Sequence, residues 1–539
     1  MRSTMMDHPL LLDYLLERSA ALFPRKEIVS RRADRSIVRY GYADLAVRAR
    51  SLAAGLQRAG LREGDRVATL MWNHDFHLEA YFGIPLAGGV FHTLNPRLAP
   101  DELAYIVRDA ADRFLIVDDV LLPVLARFAD QVTFERVFVT ATSGAAPAPP
   151  RPPGYDAYER LHEEGDRGFV PLPPDEHRAV GLCYTSGTTG RSKGVSYSHR
   201  ALVLHSLGGA MVDTFAVSER DVILPVVPMF HANAWGYPFT AALVGAKQVF
   251  PGPHLDPDGL LDLIVDEKVT LVAGVPTIGL GILQSLEAKP RTFPTPPRFV
   301  IGGAAAPESL FRAFDRYGVR VVHAWGMTEL SPMGTVSVVK SHMTELSEDE
   351  RYALRAKQGN PVPFVEIRGR GAAGIVPWDG ATPGELEVRG PWVAASYFGA
   401  EKGADRWTDD GWFRTGDVVT IDPEGYMQIV DRTKDLIKSG GEWISSVALE
   451  NALMGHPAVR EAAVIAVPHP KWGERPLAVI VAKPEKSATD EELRAYLAKT
   501  FPSWSLPDGF VWRAEIPRTA AGKFLKSKLR DELRGWTGG

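Results

Sequence analysis

RFVIGGAAAPESLFRAFDRYGVRVVHAW, residues 298–325, holds two short apolar, β-branched runs, RFVIGG at 298–303 and RVVHAW at 320–325, on either side of an amphipathic segment. Pro307 suits the first turn of a helix and Gly318 its end, so the stretch reads as one strand–helix–strand unit. The same alternation continues outward. VILPVV at 222–227 and TLVAG at 270–274 are further short apolar runs set among longer amphipathic segments, which is the pattern of α/β layering.

The chain has 539 residues, 45% of them hydrophobic and 24% charged, enough for large cores but too long for one ordinary domain. From Gly384 the text changes: GELEVRGPWVAASYFG, GWFRTGDVV and GYMQIVDR read as short strands and turns. After the charged DRTKD at 431–435 a compact pattern begins, with a helix near 447–454, strands at 462–467 and 477–482, and a capping box from Thr489 to Glu492. These shifts predict a large domain over 1–430 and a small α+β domain over 431–539. The proline-rich run at 141–154 reads as a surface excursion of the first domain.

A net charge of −5 excludes a general electrostatic grip on nucleic acid, so any anionic ligand has to be held locally. The single cysteine, Cys183, leaves no disulfide framework and no cysteine metal site, which points to a reducing, cytoplasmic setting. The N-terminal run MRSTMMDHPLLLDYLLERSAALF has acidic residues in its apolar stretch and no cleavage pattern of a secretory leader, and no later stretch is long enough to span a bilayer.

Three glycine-bearing patterns match chemical motifs, and only the first has the context its chemistry requires. YTSGTTGRSKG at 184–194 follows the apolar run VGLCY and packs hydroxyls, glycines and Lys193 into one loop. Backbone N–H groups, hydroxyls and a lysine charge are what a triphosphate needs. The spacing is not that of a P-loop, because the fifth residue after Gly187 is Ser192. Gly190-Arg-Ser192-Lys-Gly194 also matches the G-x-S-x-G of a serine hydrolase, but a polar loop precedes it and β-prone VSYSH follows, against the strand–turn–helix that a nucleophile elbow requires. Gly369-Arg-Gly371-Ala-Ala-Gly374 matches a dinucleotide fingerprint, yet IVPWDG follows where a helix must start, so a tight turn is expected.

Taken in order, YTSGTTGRSKG, WGMTE at 325–329, WFRTGD at 412–417, DRTKDLIKSGGEWIS at 431–445 and PRTAAGK at 517–523 resemble the adenylate-forming superfamily of acyl-CoA synthetases, luciferases and peptide-synthetase adenylation domains. PVVPMFHANAW at 225–235 and KSGGEWISSVALENALMGHPAV at 438–459 look most like bacterial medium- and long-chain fatty acyl-CoA synthetases. One departure is Ser192, where many relatives carry proline. The resemblance implies an α/β fold: a large N-terminal domain of α/β layers plus a distorted β-barrel, with a small mobile α+β C-terminal domain. It implies ATP-dependent conversion of a carboxylic acid to acyl-AMP with release of pyrophosphate, then a thioester with coenzyme A.

Residue by residue, the resemblance places Thr185, Ser186, Thr188 and Lys193 on the β- and γ-phosphates, with Gly187, Thr189 and Gly190 among the nucleotide-binding residues of the same loop, and Thr328 on the α-phosphate. Glu329 would hold Mg²⁺, a hard cation that prefers oxygen. Trp325 would lie by the adenine, Gly302, Gly303 and Ala304 would line its pocket and the acyl channel, Gly326 and Met327 would belong to the nucleotide site, and Asp417 with Arg432 would meet the ribose. Lys523 would sit between the acid's carboxylate and the α-phosphate, where attack brings two anions together and charge neutralisation matters most. Asp431 would be the hinge about which the C-terminal domain turns. Lys438 and Trp443 would couple the domains to the nucleotide, and Gly441 would leave room for pantetheine. Phe230, His231, Trp235 and Gly274 to Thr277, with Val275 among them, would wall an apolar acyl pocket. A homodimer through the N-terminal segment is also compatible with the resemblance. Left open are an adenylate-former that uses another acceptor or another oxyanion such as nitrite, and, more remotely, a hydrolase on Ser192.

Overall fold

The computed structural model describes residues 3–144, 154–185, 191–400, 406–440, 442–518 and 523–536. The proline-rich excursion at 145–153 lies outside them. The strand–helix–strand unit forms as read: Arg298–Ile301 and Arg320–Gly326 are parallel neighbours, joined by the helix Glu308–Asp315. Pro307 caps the helix from outside rather than standing in its first turn, and the helix stops short of Gly318. Gly318, at φ 73°, makes the left-handed turn that returns the chain to the next strand.

That unit lies in a nine-stranded sheet whose middle strands, including Leu271–Gly274, Val222–Pro225, Lys247–Phe250 and Glu27–Arg31, run parallel. A seven-stranded sheet holds Arg66–Leu70, Val90–Thr93, Asp112–Asp118 and Ala179–Tyr184 in parallel, and ends on the antiparallel strand Gly194–Ser198. A five-stranded antiparallel sheet takes Glu366–Gly371, Gly374–Ile375, Gly384–Arg389, Phe413–Ile421 and Met427–Arg432. It contains the expected tight turn at Gly371 to Gly374, so that glycine motif is a hairpin. The last sheet draws every strand from residues after 436. Its long strand Val459–His469 buries Ala462 and Val464 on one face and Ala463 and Ile465 on the other, so two apolar clusters sandwich it. The capping box closes as read, Thr489 and Glu492 each accepting the other's backbone N–H. Among the described residues no helix is long and apolar enough to cross a membrane.

The two large sheets share one core, and a single buried amide ties them. Asn73, just past the strand Arg66–Leu70, donates from Nδ2 to the carbonyls of Pro225 and Val227, both at 2.9 Å, and accepts from the Met229 N–H at 2.7 Å. The Tyr81 hydroxyl donates to the Met229 carbonyl from the same side. The loop 226–231, which leads out of the nine-stranded sheet, is therefore held by the seven-stranded one. Asn73→Ala leaves two buried carbonyls and one N–H without partners, and is expected to lower stability by about 3 kcal/mol, measured by urea unfolding.

Candidate active site

Strands of the nine-stranded sheet end at a cleft of about 450 Å³, and chain segments far apart in sequence line it. Phe230, His231, Trp235, Val275, Thr277, Gly302 and Gly303 form one wall. Trp325 to Glu329 form the floor, Thr185 and Lys193 stand on another side, and Arg432 and Lys523 come from the C-terminal end of the chain. An adjoining hollow of about 200 Å³ is lined by Ala304, Asp417, Asp431 and the other face of Trp325, among others, and again by Lys523.

The floor is built by close backbone approach. A Cβ on Gly326 would come 1.8 Å from the Pro332 carbonyl oxygen, and the Met327 N–H donates to that same oxygen at 3.0 Å. Only glycine fits there, and the turn so formed turns Thr328 and Glu329 inward. The Thr328 carbonyl accepts from the buried Tyr197 hydroxyl at 2.7 Å. On the wall, a Cβ on Gly302 would meet the Ala324 carbonyl oxygen at 2.7 Å and the Trp235 ring at 3.2 Å. Trp235 reaches that place because Ala232 to Gly236 all take positive φ, 44° to 74°, a left-handed turn that points the indole back across the cleft.

The charged groups form one linked set. Asp417 accepts from the Trp325 indole N–H at 3.0 Å and pairs with Arg432 Nε at 3.2 Å. Glu329 is buried and accepts from the Tyr397 hydroxyl at 2.7 Å; burial raises its pKa, against the lowering effect of that bond. The Lys193 ammonium lies over the Tyr397 ring, 4.7 Å from its centre. Lys523 is partly buried, and burial together with the nearby Arg432 brings its pKa down to about 8 against the pull of Asp417 and Glu329. Burial and Lys523 hold the His231 imidazole at about 4, so it is neutral at neutral pH. Among the described residues no three His, Cys, Asp or Glu side chains are grouped to hold a metal. A single carboxylate, Glu329, fits a cation that keeps most of its ligands as water and phosphate oxygen.

The loop 184–194 connects antiparallel strands, with Tyr184 opposite Gly194. At its root the Thr185 N–H donates to the Lys193 carbonyl at 2.9 Å and the Lys193 N–H to the Thr185 hydroxyl at 3.1 Å. Ser192 is buried and is followed by the strand Gly194–Ser198 where a nucleophile elbow needs a helix, so the hydrolase alternative loses its geometry. Ser186, Gly187, Thr188, Thr189 and Gly190, and Gly441, lie outside the described residues. Lys438 and Trp443 are not brought to the cleft: they stack on each other at 5.4 Å on a surface hairpin, and Trp443 is 49% exposed. Tyr397, Arg406 and Lys434 line the cleft without having been foreseen, since a tyrosine whose partner lies 68 residues away leaves no local signal.

Residues 16–398 match the family model of the AMP-binding enzyme, and residues 448–523 that of the AMP-binding enzyme C-terminal domain. The chain is 52% identical to a long-chain-fatty-acid–CoA ligase of Thermus thermophilus, over 100% of this chain and 98% of the relative. It is 44% identical to a medium-chain-fatty-acid–CoA ligase of Ectopseudomonas oleovorans (99% and 97%) and 45% identical to a 3-methylmercaptopropionyl-CoA ligase of Ruegeria lacuscaerulensis (99% and 99%). Among solved structures, ATP-bound MatB of Rhodopseudomonas palustris superposes with a TM-score of 0.81 at 27% identity, covering 97% of this chain and 99% of that one. The chain belongs to the AMP-binding enzyme family, and its reaction is that of an AMP-forming acid–thiol ligase: ATP activates a carboxylic acid as the acyl-adenylate, and the acyl group passes to coenzyme A. Gly326→Ala, which forces the floor of this site apart, is expected to lower stability by about 3 kcal/mol in denaturant unfolding.

Proposed function

We propose that the acid is a medium- or long-chain fatty acid and that Lys523 is the cation that brings its carboxylate to the α-phosphate of ATP. The observation that carries this reading is Lys523 itself, a lysine from the end of the chain in the same cleft as Trp325, Thr328, Glu329, Lys193 and an apolar wall. Phe230, Trp235, Val226, Val275 and Ile278 make that wall suited to an aliphatic chain, and the fatty-acid–CoA ligases at 52% and 44% identity support the same class.

In this reading the adenine lies against Trp325 and the Gly302 to Ala304 turn, with Gly326 and Met327 beneath. Asp417 takes the ribose hydroxyls, and the Trp325 indole and Arg432 keep its carboxylate aimed. Thr185 and Lys193 at the described root of the loop hold the outer phosphates, together with Ser186 and Thr188. Thr328 meets the α-phosphate. Glu329 would hold Mg²⁺ on the phosphates, where the ion supplies charge neutralisation when bound. Neutral His231 beside Lys523 leaves the acid's carboxylate one full cation to approach, and the carboxylate oxygen attacks the α-phosphorus as pyrophosphate departs. The thiol of coenzyme A then attacks the acyl carbon and AMP leaves. For the two steps to share one cleft, a small domain over 431–539 turns about Asp431 against the domain over 1–430, and Gly441 leaves the channel open for pantetheine. The single cysteine supports a cytoplasmic setting.

Lys523→Ala is expected to abolish pyrophosphate release while sparing thioester formation from supplied acyl-adenylate; loss of both half-reactions removes the role given to Lys523. Because the ammonium is the working form, its charge is lost as pH rises through about 8, so kcat/KM for adenylation is expected to fall on that alkaline side. Trp235→Ala is expected to shift the chain-length profile across a panel of short, medium, long, aromatic and methylthio-substituted acids, read by AMP release with and without coenzyme A. An unchanged profile assigns Trp235 to packing alone, and turnover confined to a methylthio acid replaces the fatty acid.

A further inference from the structure

Three residues beyond Lys523 the chain enters the helix Lys526–Glu532, and two cations one turn apart on that helix both point back at the segment that follows Asp431. The Lys526 ammonium, on a side chain only 11% exposed, donates to the Ser446 hydroxyl at 2.6 Å and pairs with Glu450 at 2.7 Å. Arg530 pairs with Asp435 at 2.5 Å. The groups that Lys526 meets are themselves fixed. Asp431 accepts from the backbone N–H of Ser446 at 2.8 Å and of Arg432 at 2.8 Å. The Ser445 hydroxyl donates to the Val430 carbonyl, and Glu450 accepts from the Val464 N–H at 2.7 Å.

The helix Ser446–Met454 is thus seated by its N-terminus on the strand Met427–Arg432, and Lys526 is bound to two successive turns of it. Burial works against the Lys526 charge, yet Glu450, Asp431 and Asp435 carry its pKa above the ordinary lysine value, while burial raises the Glu450 carboxyl to about 7. Taking a cation and its carboxylates out of water is costly and is offset only by close pairing and hydrogen bonds, which Lys526 makes to Glu450 and Ser446 three residues beyond Lys523.

We propose that Lys526, assisted by Arg530, is a positioning residue for adenylation: by gripping residues 431–450 it fixes the segment from which Lys523 enters the cleft. This rests on the assignment of Lys523 made above. Removing the grip lets Lys523 wander by an ångström or so, and a misplacement of that size costs about tenfold to a hundredfold in rate. The coenzyme A half-reaction, which does not use Lys523, is untouched.

The test is Lys526→Met in the full-length enzyme, which keeps the apolar stem; Glu450 can take up a proton near neutral pH once its partner is gone. Single-turnover pyrophosphate release is expected to fall about tenfold or more, with the KM for ATP and the thioester step on supplied acyl-adenylate within about threefold of the parent, and with recovery in Lys526→Arg. Equal loss in both half-reactions, or loss in neither, overturns the proposal. Arg530→Ala, on the more exposed side of the same helix, is expected to move adenylation in the same direction by less, and serves if Lys526→Met does not fold. Amide hydrogen exchange over residues 524–533 reads the grip without any turnover. Faster exchange in Arg530→Ala or Lys526→Met supports it even if the parent adenylates no acid in the panel, whereas unchanged exchange overturns it.

Discussion

One partly buried ammonium is shared by both hollows of the candidate site. Lys523 comes from the far end of the chain into a cleft floored by the Trp325 to Glu329 turn, with Asp417 and Glu329 pulling its charge in and burial and Arg432 pushing it out. The two carboxylates are each tied to a partner. The indole of Trp325 and the guanidinium of Arg432 hold Asp417, the Tyr397 hydroxyl holds Glu329, and His231 stays neutral beside the lysine.

Around that point the walls are rigid for reasons of packing. Asn73 and Tyr81 bind the loop 226–231 of one sheet to the core of another, so the apolar wall is part of the joint between two layers. Gly326 and Gly302 permit backbone contacts that no side chain would allow. The left-handed turn at Ala232 to Gly236 carries Trp235 across the cleft, a conformation that non-glycine residues adopt only when their surroundings compel it. By contrast, the linkage from Lys193 through the Tyr397 ring to Glu329 is made by long side chains rather than by backbone contacts.

Local chemistry was enough to read much of this from the amino-acid sequence. Alternating apolar runs and amphipathic segments are set by side-chain periodicity, so the α/β layering and the unit at 298–325 were legible. The capping box at Thr489, the hairpin at Gly371 and the misfit of Ser192 to a nucleophile elbow each depend on neighbours a few residues away. The loop at 184–194 announced itself by its hydroxyls, glycines and lysine, whereas Thr328, Glu329, Asp417 and Lys523 were marked only by the resemblance of their motifs to the adenylate-forming superfamily; by itself Lys523 reads as one more solvated tail lysine.

What only the tertiary structure decided was which side chains meet across long separations. Tyr397 on Glu329, Asn73 on Val227 and Lys526 on Glu450 join residues tens to more than a hundred positions apart, and no periodicity or spacing encodes such a pairing. The exclusion of Lys438 and Trp443 from the cleft was hidden for the same reason: their motif lies close to Asp431 and Arg432 in sequence, but on the hairpin that carries them both are exposed and pair with each other. Side-chain periodicity acts over a few residues and so determined the elements, and the order of residues spelled the motifs; burial and charge balance act through space, and they alone determined how those motifs are aimed.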